Sequence, residues 1–175
     1  KPSSDSPAIA AKFMEIVEEA KVPAGVVNFM PGPGALAGDY LVRHPKTRFI
    51  AFTGSKAVGL RIVELAGKTQ PGQVWIKRVV AEMGGKDAIV VDEGTDPGEA
   101  AAGIVTSAFG FQGQKCSACS RVLAVGTAYE PFVRRLVEAS RSLIVGPAHE
   151  PSCQLPPVAD GKAWERLRQV IQDPG

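Results

Sequence analysis

The sequence predicts an α/β fold in two lobes, and three observations lead there. Short apolar runs rich in β-branched residues alternate with stretches whose apolar residues recur every three or four positions. Glycine-containing turns follow the apolar runs at Pro31-Gly-Pro-Gly34 and Thr53-Gly-Ser55. The 175 residues are 45% hydrophobic and 22% charged, which supplies a substantial core and excludes disorder and collagen-like order.

From Ser6 to Ala20 the residues Ile9, Phe13, Ile16 and Val17 share one face, the pattern of an amphipathic helix, and Pro23-Ala-Gly25 ends it. Val26 to Met30 is expected to be a short buried strand closed by Pro31 to Gly34. A helix is expected from about Ala35 to Arg43, a strand from Arg48 to Thr53, and a helix through Val58, Ile62, Val63 and Leu65. Strands and helices alternating in this way imply a parallel sheet covered on both faces, with ligands bound beyond the carboxyl ends of its strands. The turns at Pro31 and Thr53 are expected at such ends.

Beyond Gly67 the spacing predicts strands over Val74 to Val80, Ala88 to Val91 and Val122 to Val125. Helices are predicted over Pro97 to Phe109, Pro131 to Ala139 and Ala163 to Ile171. A boundary near Gly84-Gly85 divides this order into two lobes, residues 1–84 and 85–175. No internal repeat or low-complexity tract interrupts it.

The formal net charge of +2 arises from acids and bases scattered along the chain, so neither nucleic acid nor a membrane surface is an expected partner. A small-molecule ligand is. The apolar runs fall far short of the ~20 residues that span a bilayer, and the N-terminus has no signal-peptide pattern. The absence of an initiator Met and the ending on Asp173-Pro-Gly175 lead to the expectation of a segment of a longer polypeptide. Three cysteines at no framework spacing fit reduced thiols in a cytoplasm-like compartment.

Cys116 lies between a Gly/Gln stretch and a strand, close to Lys115 and Arg121, a cationic setting that suits a nucleophilic thiol. Against this stands the ordinary role of cysteine as a small buried residue, which the polar Gln112-Gly-Gln-Lys115 segment disfavours. Cys116 and Cys119 also have redox-pair spacing, although such a pair usually opens a helix. A zinc site would need ligands from Cys153, His44 or His149, which lack ligand spacing. A phosphatase loop would need one more residue before Arg121. Glu82, in Glu82-Met-Gly-Gly-Lys86, is either a solvated acid or, beside an apolar strand, a general base. Thr53-Gly-Ser55 is either a phosphate-holding helix start or a plain N-cap at Ser55. The glycines at 32, 34 and 38 do not form the dinucleotide fingerprint, and Lys1 is either a solvated terminus or a ribose- or phosphate-binding cation. His44 and His149 are loop residues to which no role is assigned.

Lys1-Pro-Ser, Phe52-Thr-Gly-Ser55, Glu82-Met-Gly-Gly-Lys86 and Gly113-Gln-Lys-Cys116 stand in the order in which the aldehyde dehydrogenase superfamily carries such segments. In them, over nearly its whole length, the chain resembles that superfamily. Phe109-Gly-Phe-Gln-Gly-Gln-Lys-Cys-Ser-Ala-Cys-Ser-Arg121 and the Val27 to Gly59 stretch make it most similar to the 1-pyrroline-5-carboxylate dehydrogenase branch. Leu155-Pro-Pro-Val158 departs from the Gly-Pro-Val usual there.

The resemblance implies a Rossmann-type coenzyme domain, in part, over residues 1–84 and part of an α/β catalytic domain over 85–175. It implies that Cys116 attacks an aldehyde, that Glu82 activates the hydrolytic water, and that the Cys116 N–H provides half of an oxyanion hole. Lys1, Ser4, Thr53, Gly54, Ser55 and Gly84 would bind NAD, and Ser117 the substrate carboxylate. Ser4 stands where NAD-preferring members often carry Glu, so NADP is expected to be tolerated. The implied reaction is oxidation of L-glutamate γ-semialdehyde to L-glutamate in proline breakdown, by a homo-oligomer in cytoplasm or, in a eukaryote, the mitochondrial matrix; the alternatives are another aldehyde dehydrogenase with a different aldehyde substrate and an inactive remnant that only binds coenzyme. The oxyanion-hole Asn precedes Lys1 in the family and the carboxylate anchor loop follows Gly175. Residues 1–175 alone are therefore expected to be inactive.

Overall fold

Helices and strands alternate along the chain and pair as two short parallel ladders, each inside its own unit. The computed structural model describes residues 1–173, and the chain divides into Lys1–Met83 and Gly84–Gly175.

In the first unit, helix α1 (Pro7–Glu19) opens with proline at a position whose missing N–H is no loss. A π-helical turn, Gly34–Gly38, runs directly into α2 (Asp39–Arg43). Strand β1 (Phe49–Thr53) leads through α3 (Lys56–Gly67) to β2 (Arg78–Glu82), a βαβ unit of the Rossmann type. The ladder runs from Phe49 opposite Arg78 to Thr53 opposite Glu82. Val42, Ile62, Leu65 and Ala66 form the core, with Ile50, Phe52 and Val79 packed on them. Lys77 is buried beside it, its ammonium donating to the Val42 carbonyl at 2.6 Å. Gly59 lets α3 press onto the chain after β2, because a Cβ there would meet Met83 Sδ at 2.7 Å.

In the second unit β3 (Asp87–Val91) pairs in parallel with β4 (Cys119–Ala124), with a shift of register between Asp87 and Ala88. The crossover between them contains α4 (Pro97–Phe109), started by Asp96, whose carboxylate accepts the Glu99 N–H at 2.8 Å. Val91, Ala101, Ile104, Cys119 and Phe132 are the core, Phe132 coming from α5 (Tyr129–Arg141). Helix α6 (Gly161–Gln172) follows, capped by Asp160.

The α/β class and the order of the helices agree with the expectation, while several details do not. Val26 to Met30 is not a strand: it has no ladder partner among the described residues, and the Val26 N–H turns back to the Pro23 carbonyl at 3.2 Å. The Pro31–Gly34 turn therefore does not lie at a strand end. The run expected as a strand from Val74 pairs only from Arg78, four residues on, after Trp75 Nε1 has donated to the Thr47 carbonyl at 3.2 Å. Strand β4 starts at Cys119, earlier than expected, and each ladder has only two strands. Val80, Val90 and Leu123 are exposed, so the ladders are covered on one face among the described residues.

Candidate active site

Two assemblies contain the sequence-predicted residues, one in each unit. In the first, the ends of two loops meet. Lys1 Nζ donates to the carbonyl of Gly32 at 2.9 Å and to that of Pro2 at 2.6 Å, and Ser4 Oγ reaches the same Gly32 oxygen at 3.3 Å. The Lys1 stem lies against Gly38, Cε 3.8 Å from where a Cβ would be. Lys1, Ser4, Gly34, Gly38, Asp39, Thr53, Val58, Arg61 and Ile62 line a cavity of about 780 Å³. Its lining combines apolar side chains such as Val42, Val58 and Ile62 with the polar Lys1, Ser4, Asp39, Thr53 and Arg61. The cavity opens beside Thr53, the carboxyl end of β1, where parallel sheets place their ligands.

Asp39 and Arg61 pair across this cavity. The hydrogen bond from Arg61 holds the Asp39 carboxyl below its ordinary range, and Asp39 in turn raises the guanidinium. Sequence reasoning missed this pair, since the two residues are ordinary charges on separate helices. Gly54 and Ser55 do not line the cavity. The Gly54 N–H extends the ladder by donating to the Glu82 carbonyl at 3.0 Å, and Ser55 Oγ caps α3 by accepting from Val58 N–H at 3.4 Å. Glu82 ends β2 directly opposite Thr53, and its side chain is exposed rather than sheltered by apolar neighbours.

In the second unit, α4 stops at Phe109 and the chain turns back through Gly110–Gly113. Phe111 and Gln112 are left-handed, at φ 53° and 56°, and Gly113 continues at φ 68°. Each such non-glycine residue costs about 1–3 kcal/mol. Cys116 and Ser117 follow, both exposed, in a turn closed by the Ala118 N–H on the Lys115 carbonyl at 3.2 Å. Gly85 backs this turn: a Cβ there would meet the Cys116 carbonyl oxygen at 2.7 Å. A Cβ on the neighbouring Gly84 would meet nothing within 4 Å.

Of the two cations near Cys116 in the sequence, Arg121 is engaged elsewhere. Arg121 Nη2 donates to the Lys86 carbonyl at 2.6 Å, and Lys115 Nζ lies 3.4 Å from a Cβ built on Gly110. The three cysteines are free and differ in surroundings. Cys119 is buried in the core, its N–H on Ser107 Oγ at 3.3 Å and its Sγ directed to the Arg121 carbonyl at 3.3 Å. Cys153 Sγ donates to the Gly146 carbonyl at 2.9 Å. Cys116 alone of the three is exposed. Among the described residues no three His, Cys, Asp or Glu side chains gather as a metal site, and no helix is long and apolar enough to cross a membrane.

The model of the aldehyde dehydrogenase family matches residues 1–174. The chain is 55% identical over 172 residues to a 1-pyrroline-5-carboxylate dehydrogenase of Anoxybacillus flavithermus, covering 98% of this chain and 33% of that protein. Its fold is similar to that of 1-pyrroline-5-carboxylate dehydrogenase from Thermus with bound NAD, at a TM-score of 0.93 and 50% identity over 98% of this chain and 33% of that one. It is similar also to proline utilization A from Bdellovibrio bacteriovorus inactivated by N-propargylglycine, at a TM-score of 0.94 and 46% identity over 98% and 18% of the two chains. The chain thus spans about a third of the length of the curated relatives it matches.

Proposed function

Because the chain belongs to the aldehyde dehydrogenase family, we propose that it forms part of a homo-oligomeric enzyme that oxidises L-glutamate γ-semialdehyde to L-glutamate with NAD. The observation that carries this reading is the exposure of Cys116 on a clamped turn, while the thiols of Cys119 and Cys153 are committed to backbone carbonyls.

The Cys116 thiolate adds to the aldehyde carbon, and the carbonyl π electrons move to oxygen, where the Cys116 N–H donates to the oxyanion. When bound, NAD would accept the hydride from that carbon, which leaves a thioester on Cys116. Glu82 takes a proton from water as the water oxygen attacks the thioester, and the thiolate departs as the acid forms. Exposure of Glu82 is compatible with reaching water. Ser117, next in the chain, binds the substrate carboxylate.

The first unit has the residues to hold the coenzyme. Lys1 has three donors, of which two carbonyls take two, so one remains for a ribose hydroxyl. Ser4 stands beside it and offers no carboxylate against a 2′-phosphate, hence the proposal that NADP is tolerated. Leu41, Val42, Val58 and Ile62 on this cavity suit an adenine ring, and Thr53 lines it as well; Gly54 and Ser55, with Gly84 of the second unit, would contact the pyrophosphate and nicotinamide.

The test is NADH formation by the complete enzyme. Cys116→Ser is expected to abolish it, and Cys119→Ala to lower stability while turnover stays within about tenfold. Normal turnover by Cys116→Ser would refute the assignment. Replacing NAD by NADP tests the role of Ser4, and an NAD preference above about a hundredfold would count against tolerance.

A further inference from the structure

Two bulky residues in succession adopt the left-handed conformation: Phe111 at φ 53°, ψ 35° and Gln112 at φ 56°, ψ 31°. With a Cβ present this region crowds the following carbonyl, and it is visited as an exception even by single residues. Packing within this chain does not bury the ring: Phe111 is 76% exposed. The surroundings of the turn account for the conformation. A Cβ on Gly113 would lie 2.9 Å from the Ala108 carbonyl oxygen, so the turn sits directly on the end of α4. The Gln114 N–H closes it by donating to the Phe111 carbonyl at 3.0 Å.

The far end of the segment is tied to the same helix, through the Cys119 N–H on Ser107 Oγ at 3.3 Å. Gly85 limits the middle, at the Cys116 carbonyl. The chain from Gly110 to Cys119 is therefore held at both ends by α4 and backed at Cys116. A relaxed turn would give this segment room to move, and a displacement of about 1 Å at a reacting group can lower a rate about a hundredfold.

We infer that the left-handed turn Phe111–Gly113 is a positioning device, kept at the expense of stability, that aims the Cys116 thiol and N–H together at one carbonyl group. This rests on the reading of Cys116 as the acylated thiol. Neither Phe111 nor Gln112 is a catalytic residue in it. Both act through the backbone.

The experiment uses the complete enzyme without coenzyme and three readouts: melting temperature, acylation by 4-nitrophenyl acetate, and iodoacetamide labelling located by mass. In the acylation the Cys116 thiolate attacks the ester carbonyl and 4-nitrophenolate leaves, so no oxidant is needed. Gln112→Gly removes the Cβ. It is expected to raise the melting temperature by about 1 °C and to slow acylation about tenfold or more. Labelling of Cys116, a less directed reaction at an exposed thiol, should change by less than about threefold. Phe111→Gly should move all three in the same directions. Gln112→Ala loses the amide but keeps a Cβ, so its melting temperature should not rise and its acylation should exceed that of the glycine variant.

Wild-type acylation in Gln112→Gly, or no rise in its melting temperature, overturns the inference. So does an alanine variant as slow as the glycine one, which would assign the effect to the amide. If the unmodified enzyme is not acylated at Cys116 at all, the assignment of the nucleophile itself fails, and the inference fails with it.

Discussion

At Gly85 a single added methyl group would meet the Cys116 carbonyl oxygen at 2.7 Å, and a backbone atom cannot swing aside as a side chain can. Gly85→Ala should cost about 1–3 kcal/mol of stability and reduce turnover by about 10- to 100-fold. Gly84→Ala, with open space around it, should change stability by no more than about 0.5 kcal/mol. Urea titration and initial rates check both; equal effects at the two glycines would contradict this local geometry. Lys77 gives a prediction in pH. Burial lowers its proton affinity below the ordinary 10.5, so the unfolded chain holds that proton more tightly than the folded one. The contribution of this group to stability therefore rises as the pH climbs towards 10.5. In unfolding measurements at stepped alkaline pH, the stability of the wild type relative to Lys77→Met should increase. A difference flat in pH would contradict it.

At the scale of elements, Ser55, Asp96 and Asp160 each cap a helix by accepting an N–H three residues on. Replacing any one by Ala should cost about 1 kcal/mol, read as a shift in the denaturation midpoint. Loss of stability below about 0.3 kcal/mol at all three would show that the caps are idle. Such local signals are why α4 could be read to its ends from sequence, with Asp96-Pro97 before it and Gly110 after it. Strands gave no such signal. Which part of Val74 to Glu82 enters the ladder depends on β1, some thirty residues away, and Val26 to Met30 has apolar strand composition without a neighbour to pair with. The left-handed pair at Phe111 and Gln112 was illegible for a similar reason. Only the packing on Ala108 and the closed turn impose it.

On the scale of the whole chain, the apolar face of α1 is open, with Ile9, Phe13 and Ile16 exposed, and that of α6 likewise at Trp164, Val170 and Ile171. Exposed apolar patches of this kind promote association. Substituting Ile9 and Phe13 by Ser should reduce self-association of the 175-residue chain in light scattering and change its stability by no more than about 0.5 kcal/mol per site. A large loss of stability would mean that the face is packed. The segments at Lys1, Thr53, Glu82 and Cys116 were legible in the sequence, because each carries chemistry in its residue types. The shape of the candidate site was not. The meeting of Lys1 and Ser4 at Gly32, and the Asp39–Arg61 pair on the same cavity, come from contacts between distant parts of the chain.

Whether Cys116 carries the acyl group is decided by mass spectrometry of the complete Glu82→Gln enzyme, quenched while it turns over L-glutamate γ-semialdehyde with NAD. With the proposed base removed, the thioester should accumulate. Because Cys116 and Cys119 share the short segment before Arg121, fragmentation of that peptide must locate the adduct. The predicted result is an acyl group on Cys116 alone. An adduct on Cys119 or Cys153, or an enzyme that turns over at the normal rate with Cys116 unmodified, would contradict it.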